Sequence, residues 1–320
     1  MVKKHTVAKE YAGTRLDVFL HSRYSDFSRS WIQKLIKKGK ASVNNKNSPA
    51  SKRLAASDAV RFEFEPPPEI SLEPDKSLSD KIRVVFENDD FLIIDKPSGI
   101  SVHPSSSEPA GTVVNWLLHH YPPIKSVGDP APFGNPKGAG LRPGIVHRLD
   151  KDTSGVMVIA KNQKTFLWLK KQFQSRLVIK KYIALVNGSP KSENGKIELN
   201  IIRSKTDPTK NIALKSKTTG RPALTYWLVI RRYVDHTLME VTPKTGRKHQ
   251  IRVHLKAAGF PVCGDKKYGS PRLDPKHLGR MFLHAQYLSF NSPGGEKFSF
   301  NAPLPEELEQ ALQNLPFMIK

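Results

Sequence analysis

One cysteine, Cys263, occurs in 320 residues. An internal disulfide and a cysteine-rich zinc site are therefore excluded, and the composition suits the reducing cytoplasm. Acidic side chains are also scarce, with 29 Asp and Glu against 52 Lys and Arg, for a formal charge of +23. An excess of that sign calls for a polyanionic partner. Nucleic acid is favoured over a membrane surface, because the cations are spread along the chain rather than gathered on one basic amphipathic segment. Long apolar runs are missing: nowhere do roughly 18 apolar residues follow one another, and the basic stretch from Met1 to Gly13 lacks the apolar centre of a signal peptide. Neither export nor a membrane span is expected. A phosphate loop of the form GxxxxGKS or GxxxxGKT is absent as well, and so is any internal repeat.

What the chain does contain is a dense polar cluster that closes onto an apolar strand. In LRPGIVHRLDKDTSGVMVIAK, from Leu141 to Lys161, Gly144 permits a turn and Ile145 and Val146 lead into His147 to Gly155. Val156 to Ala160 then reads as a short buried strand. A loop tied to a core strand holds its side chains in place, as catalysis requires. By residue chemistry alone, Asp150, Asp152, Thr153 and Ser154 also suit a hydrogen-bonding turn in which Gly155 supplies a positive φ. The longer string decides between the two. It resembles the active-site signature of the RluA/RluD-type pseudouridine synthases, HRLDxxTSG followed by an apolar strand. That resemblance implies an RNA uridine-to-pseudouridine isomerase with Asp150 as its catalytic residue.

Further strings extend the resemblance. KPSGISVHP, Lys96 to Pro104, matches a KPxGxxVHP segment of that family. KKYIALVNG, Lys180 to Gly188, resembles the motif whose tyrosine packs on the target base, which implies that role for Tyr182. Without the resemblance, a strand tyrosine is a packing residue with its hydroxyl satisfied. TGRKHQIRVH, Thr245 to His254, resembles TGRxHQIRxH and implies that Arg252 pairs with the catalytic aspartate. An opposite charge a few ångströms away keeps a partly buried carboxylate ionised, so the pairing is physically reasonable. As a basic helix start, the same string with Arg247 also suits phosphate binding. Arg148, on the same resemblance, reaches into the RNA where the base was displaced. The expected substrate-binding set is thus Arg148, Tyr182, Arg247 and Arg252. His249 and His254 lie five apart, which does not put both rings on one helical face, and no metal is expected. Moving the ribose bond from nitrogen to carbon five of uracil involves no redox change, so no cofactor is expected either. The reaction needs a carboxylate, a surface for the flipped base and a dry pocket.

Residues 13–65 read as a small α/β module. One helix turns Leu16, Phe19 and Leu20 inward; a second, capped by Ser28, turns in Trp31, Ile32, Leu35 and Ile36 and stops at Gly39; strands follow at 41–43 and 59–62. Arg29, Lys34, Lys37 and Lys38 form a basic face, which by charge alone is a solvated surface. The SRS start, the IKKG turn and the following V-N resemble an RNA-binding module of the ribosomal-protein S-four type, with Asn45 and Ser57 where glycines are usual. Pro66, Pro67, Pro68 and Pro74 mark a linker over 66–80. Residues 81–320 are expected to form the catalytic domain, an α+β fold with a mixed, largely antiparallel central sheet flanked by helices. Pro122 to Gly140, rich in Pro and Gly, is expected to be a mobile loop that touches substrate. The whole reads as a monomeric, cytoplasmic RNA pseudouridine synthase acting on large-subunit ribosomal RNA. A non-catalytic RNA-binding assembly factor and a nucleoside-bond hydrolase are the alternatives.

Overall fold

Period-two and fully apolar runs build the long strands, and amphipathic helices cover them. The computed structural model describes residues 2–25, 27–66, 72–105, 108–129, 142–207, 209–216, 218–276 and 278–317. The chain divides into two units, Met1–Ile70 and Ser71–Lys320. Among the described residues no helix is long and apolar enough to cross a membrane.

The first unit contains β1 (Val2–Thr6), α1 (Leu16–Arg23), α2 (Arg29–Lys37), β2 (Ala41–Val43), β3 (Lys46–Asn47) and β4 (Ala59–Glu63). Its sheet has the order β1-β4-β2-β3. Leu16, Phe19, Leu20, Ile32, Leu35 and Phe62 are fully buried in its core, each contributing roughly 1.5–3 kcal/mol. Ser28 caps α2 by accepting the Trp31 N–H at 3.3 Å. Two features differ from the sequence reading. β1 precedes residue 13 yet pairs with β4 along its whole length, because a strand of mostly exposed polar residues is held by backbone bonds that composition does not reveal. Arg29 leaves the open basic face: its Nε and Nη2 donate to Oδ2 of the buried Asp17 at 3.1 and 2.9 Å, while Lys34, Lys37 and Lys38 stay exposed.

The second unit runs β5 (Arg83–Glu87), β6 (Phe91–Lys96), α3 (Val113–His120), β7 (Ser154–Ala160), α4 (Gln163–Gln174), β8 (Ile179–Asn187), β9 (Asn194–Glu198), β10 (Asn200–Arg203), β11 (Asn211–Leu214), β12 (Leu224–Arg232), β13 (His236–Pro243), α5 (Gln250–Ala257), β14 (Leu283–Asn291), β15 (Lys297–Asn301) and α6 (Glu306–Gln313). The large sheet has the order β5-β6-β7-β14-β8-β13-β12-β9, with β15 added beside β14, and β10 and β11 form a separate hairpin. β7 and β14 are parallel; the other neighbours run antiparallel. This is the mixed, largely antiparallel α+β architecture expected from the sequence. Trp116, Leu117, Phe166 and Leu169 from α3 and α4 share a core with β6 and β7. Ile251 and Leu255 of α5 pack with Ala184, Val186, Met239 and Val241 of β8 and β13.

Part of the expected linker belongs to this unit. Asn115 Nδ2 donates to the Glu73 carbonyl at 2.9 Å, the Asp75 N–H donates to the Asn115 carbonyl at 3.0 Å, and Leu78 is buried. Residues 72–80 are thus docked on α3 rather than spanning between domains. The loop expected to be mobile starts instead as a 3-10 turn, Pro122–Ser126, whose Ile124 is fully buried. Gly144 sits against that turn with φ 68, and a Cβ there would lie 2.6 Å from both Ile124 Cδ1 and the Ala160 carbonyl, so glycine is required. Residues 130–140 of that loop lie outside the described residues.

Candidate active site

The loop carrying Asp150 is clamped by the segment that follows β6. The Lys96 side chain is fully buried, and its Nζ donates to the carbonyls of Pro97 at 2.7 Å, Ile100 at 2.8 Å and Lys151 at 3.0 Å. Three ammonium protons meet three acceptors, so the buried cation is fully satisfied. Burial, with help from Arg280, nevertheless pulls its pKa down to about 7 against the attraction of Asp152, Asp150 and Asp95. The Gly99 N–H also donates to the Lys151 carbonyl, and Ser98 Oγ donates to the Asp152 carbonyl, both at 2.9 Å. Both residues after Asp150 are thereby pinned. At the far end Gly155 has φ 120 and pairs with Ala285 of β14, whose backbone a Cβ would strike. Glycine there permits the parallel approach of β7 to β14.

Asp150 faces α5. Its Oδ2 accepts from Arg252 Nη1 at 3.0 Å. The other edge of the same guanidinium is taken by Asp265: Nε to Oδ2 and Nη2 to Oδ1, both 2.7 Å. Asp265 is itself buried and also accepts the N–H groups of Lys267 at 2.9 Å and Tyr268 at 3.1 Å. Burial works against the charge on both Arg252 and Asp265, but their mutual contacts outweigh it, raising the arginine pKa and lowering the aspartate's. Arg252 is therefore a fixed cation aimed at Asp150.

His249, at the start of α5, has φ 58, an uncommon left-handed conformation for a residue with a side chain. Its Nε2 lies 3.9 Å from Asp150 Oδ1. Burial pulls its pKa to about 4, Asp150 opposing and Arg252, Lys248 and Lys267 assisting, so the ring is neutral at pH 7 and the contact is not an ion pair. Tyr268 Oη accepts the Asn211 N–H at 2.8 Å and lies 2.9 Å from His249 Nδ1. Tyr268 thereby fixes the ring through Nδ1, and Nε2 is the nitrogen that faces Asp150. His254 uses both ring nitrogens inside the fold, on Thr225 Oγ1 at 2.9 Å and the Leu199 carbonyl at 3.2 Å. Gln250 knots the preceding turn: its Oε1 accepts from Thr245 Oγ1 at 2.7 Å and the Arg247 N–H at 3.0 Å, and its Nε2 donates to the Leu224 carbonyl at 3.0 Å.

A cavity of about 600 Å³ opens over Asp150 and is lined also by Arg148, Tyr182, Arg247 and Arg252. Every residue expected from the sequence reaches this one space. Tyr182 lies on β8 between Val241 of β13 and Ala285 of β14. Burial, and then the charge of Asp150, raises its pKa, so the phenol stays protonated and neutral. Lys180, on the same face two residues earlier, is pulled down to about 8 by burial and stands 5.9 Å over the Phe173 ring. His147 stacks on that ring at 4.6 Å and accepts the Val158 N–H through Nε2 at 3.0 Å. Burial and Lys180 pull it to about 3, which makes it a neutral structural acceptor. Arg148 is exposed at the rim. Arg247 is half-buried, with Nε donating to the Pro222 carbonyl at 3.2 Å. The sequence reading missed Lys96, Asp265 and Tyr268 and considered His249 only as a metal ligand. For Asp265 and Tyr268 the available signal was the DKKYG string, whose spacing alone carries no chemistry.

Comparison with known proteins places this geometry. Residues 90–257 match the family model described as RNA pseudouridylate synthase. The chain is 36% identical over 311 residues to the uncharacterized RNA pseudouridine synthase YlyB of Bacillus subtilis, covering 97% of each protein. It is 38% identical over 325 residues to ribosomal large subunit pseudouridine synthase D of Neisseria meningitidis, covering 97% of this chain and 81% of that protein. Among solved structures, human RNA pseudouridylate synthase domain containing 1 aligns with a TM-score of 0.56 and 25% identity, over 79% of this chain and 99% of the other.

Proposed function

The chain belongs to the RNA pseudouridylate synthase family and is an RNA uridine-to-pseudouridine isomerase; from that premise we propose that it acts on large-subunit ribosomal RNA with Asp150 as its catalytic carboxylate. The observation that carries the assignment of Asp150 is its place in the cavity, with Arg252 at 3.0 Å on one side. The ribosomal substrate is supported by the names of the N. meningitidis relative and of ribosomal large subunit pseudouridine synthase C of Vibrio vulnificus, 32% identical over 325 residues.

The isomerisation breaks the bond between uracil nitrogen one and ribose, turns the base and joins ribose to carbon five. Carbon five loses a proton and nitrogen one gains one, so the atoms balance. A carboxylate serves such a reaction as nucleophile or as base. The phenol of Tyr182 offers a neutral ring for the flipped uracil, and Arg252 holds Asp150 in position. Arg148 and Arg247 contact the RNA at the rim. The N-terminal unit, as an S-four-type module, supplies further RNA affinity, and the protein works as a cytoplasmic monomer.

The test is an unmodified large-subunit ribosomal RNA transcript incubated with wild type or Asp150→Asn, followed by pseudouridine mapping and RNA mass. Wild type should create pseudouridine without changing mass. The variant should be slower by at least about 10²-fold, yet bind RNA within a few-fold of wild type because its many cations supply the affinity. Near wild-type turnover by Asp150→Asn would sink the assignment, and a ribosomal transcript left unmodified by wild type would sink the substrate.

A further inference from the structure

A second cavity, of about 340 Å³, adjoins the first, and Gly246, Arg247 and Lys248 line both. Its opposite wall is the hairpin of β10 and β11 together with Gly220 and Arg221. Four cations, Arg203, Arg221, Arg247 and Lys248, line it, and no carboxylate is among its described lining residues. A concavity of one charge sign concentrates a polyanion. The crowding is felt by the groups themselves: burial first, and then Arg221 and Arg176, lowers the Arg247 pKa, and Lys248 is lowered by burial and by neighbours that include Arg148 and Arg203.

The walls are built rather than incidental. Arg221 and Ile201 exchange both backbone hydrogen bonds at 2.9 Å. Gly220 has φ 91, and a Cβ on it would meet Asn200 Cβ at 3.1 Å, so this wall stays flat and admits a close approach of backbone. Asn211 Nδ2 donates to the Lys248 carbonyl at 2.7 Å, while its N–H reaches Tyr268 Oη, the group that orients His249. The hairpin is therefore tied to the residues beside Asp150, and the two cavities keep a fixed relation. RNA that presents a base over Asp150 must carry its phosphates out across the rim, where Arg247 and Lys248 lead into the second space.

We propose that this cavity is a second RNA subsite, which grips the phosphodiester backbone of the strand flanking the uridine held over Asp150. The inference rests on the pseudouridine synthase reading. Mononucleotide-sized clefts of a few hundred Å³ suit such a ligand, and Arg is the side chain best matched to phosphate.

The full-length protein tests it through Arg221, whose side chain is exposed. Binding of a fluorescent oligouridylate of about 12 nucleotides is measured across KCl concentration for wild type, Arg221→Gln, Arg221→Lys and Lys164→Gln. The last removes an exposed charge on α4 outside both cavities. Arg221→Gln should weaken binding about tenfold and flatten the plot of log affinity against log salt by about 0.7, Arg221→Lys should recover part of both, and Lys164→Gln should change neither by more than about twofold. KM on the ribosomal transcript should rise with the same variant. An Arg221→Gln protein with wild-type affinity and slope overturns the inference. Thermal stabilisation of the same proteins by inorganic phosphate is measured alongside, and its loss in Arg221→Gln with RNA binding unchanged also overturns the inference, making the cavity a site for a free anion. A wild type that binds the oligonucleotide but modifies no RNA overturns the enzymatic reading instead, while the binding series still decides whether the cavity holds RNA backbone.

Discussion

Two aspartates share Arg252, and replacing each by Asn should cost unequal amounts of stability. Asp265 has a fully buried side chain, binds both Nε and Nη2 of Arg252 at 2.7 Å, and collects two backbone N–H groups. In Asp265→Asn the amide presents an N–H₂ group where only donors face it, so at least one bond is lost and the buried guanidinium keeps a single anionic partner. Breaking a buried pair in this way costs about 3–5 kcal/mol. Asp150, with 16% of its side chain exposed, binds Arg252 once; its replacement leaves the Asp265 fork intact and should cost roughly 1–2 kcal/mol. Urea unfolding followed by tryptophan fluorescence separates the two, since Trp116, Trp168 and Trp227 lie in the second unit and Trp31 in the first. For a unit of this size the Asp265→Asn loss corresponds to a melting temperature lower by roughly 6–20 °C, with catalysis reduced through the misplaced arginine. An Asp265→Asn protein that unfolds within about 1 kcal/mol of wild type would refute the claim that Asp265 is what holds Arg252 against Asp150.

Lys96→Met should cost roughly 2–4 kcal/mol by leaving three carbonyls without their donor, and it should lower turnover by freeing the Asp150 loop. Because the folded-state pKa of Lys96 is depressed from 10.5 to about 7, the unfolded chain holds a proton that the folded chain does not between those values. Wild-type stability should therefore gain on the variant as pH rises through that window, and denaturation at both ends that showed a constant or shrinking gap would contradict the burial argument. In acid the same logic applies to His103, His147 and His249, held at about 4, about 3 and about 4 against an ordinary 6.5. Their contribution is present above pH 6.5 and is lost as pH falls through about 4, at about 1.4 kcal/mol per pH unit for each ring. Replacing His103 with Gln should remove one such increment from the slope of stability against pH, and an unchanged slope would mean that this ring protonates in the folded state.

The strands and helices were legible where they are locally patterned: Val156 to Ala160 of β7 are apolar, and Ser28 and Gly39 bound α2 as their chemistry predicts. The Asp150, Tyr182 and Arg252 constellation was legible for a different reason, since three separated strings each resembled part of one signature. What stayed hidden depends on contacts between distant segments. Nothing in the residues around Lys96 says that its ammonium will be caged by carbonyls as far away as Lys151. Nor does DKKYG announce that Asp265 will grip an arginine 13 residues earlier. β1 failed to register because a polar strand can be held by backbone bonds, and residues 72–80 because their anchors, Asn115 and the core that takes Leu78, lie elsewhere in the chain. Arg29 looked free because the buried Asp17 that claims it lies on another helix.

The arrangement of charge bears on the proposal that Asp150 is the catalytic carboxylate of so basic a protein. At the centre, Asp150, Arg252 and Asp265 sum to a single negative charge, and the surrounding His249, His147 and Tyr182 are all held neutral, the histidines by depressed pKa values and the tyrosine by a raised one. Further cations, Arg148, Lys180, Arg247 and Lys248 among them, line the cavity around this core. A phosphate is therefore drawn to the cationic lining more than to Asp150, while an uncharged pyrimidine meets no such opposition at the carboxylate. On the proposed roles of these residues, the field sorts the parts of a nucleotide, with backbone at the cationic lining and base over Asp150. Had Arg252 been left without Asp265, the centre would be neutral and that sorting would weaken. The buried Asp265 accordingly has two effects, fixing the direction of the guanidinium and restoring the negative sign beneath the base.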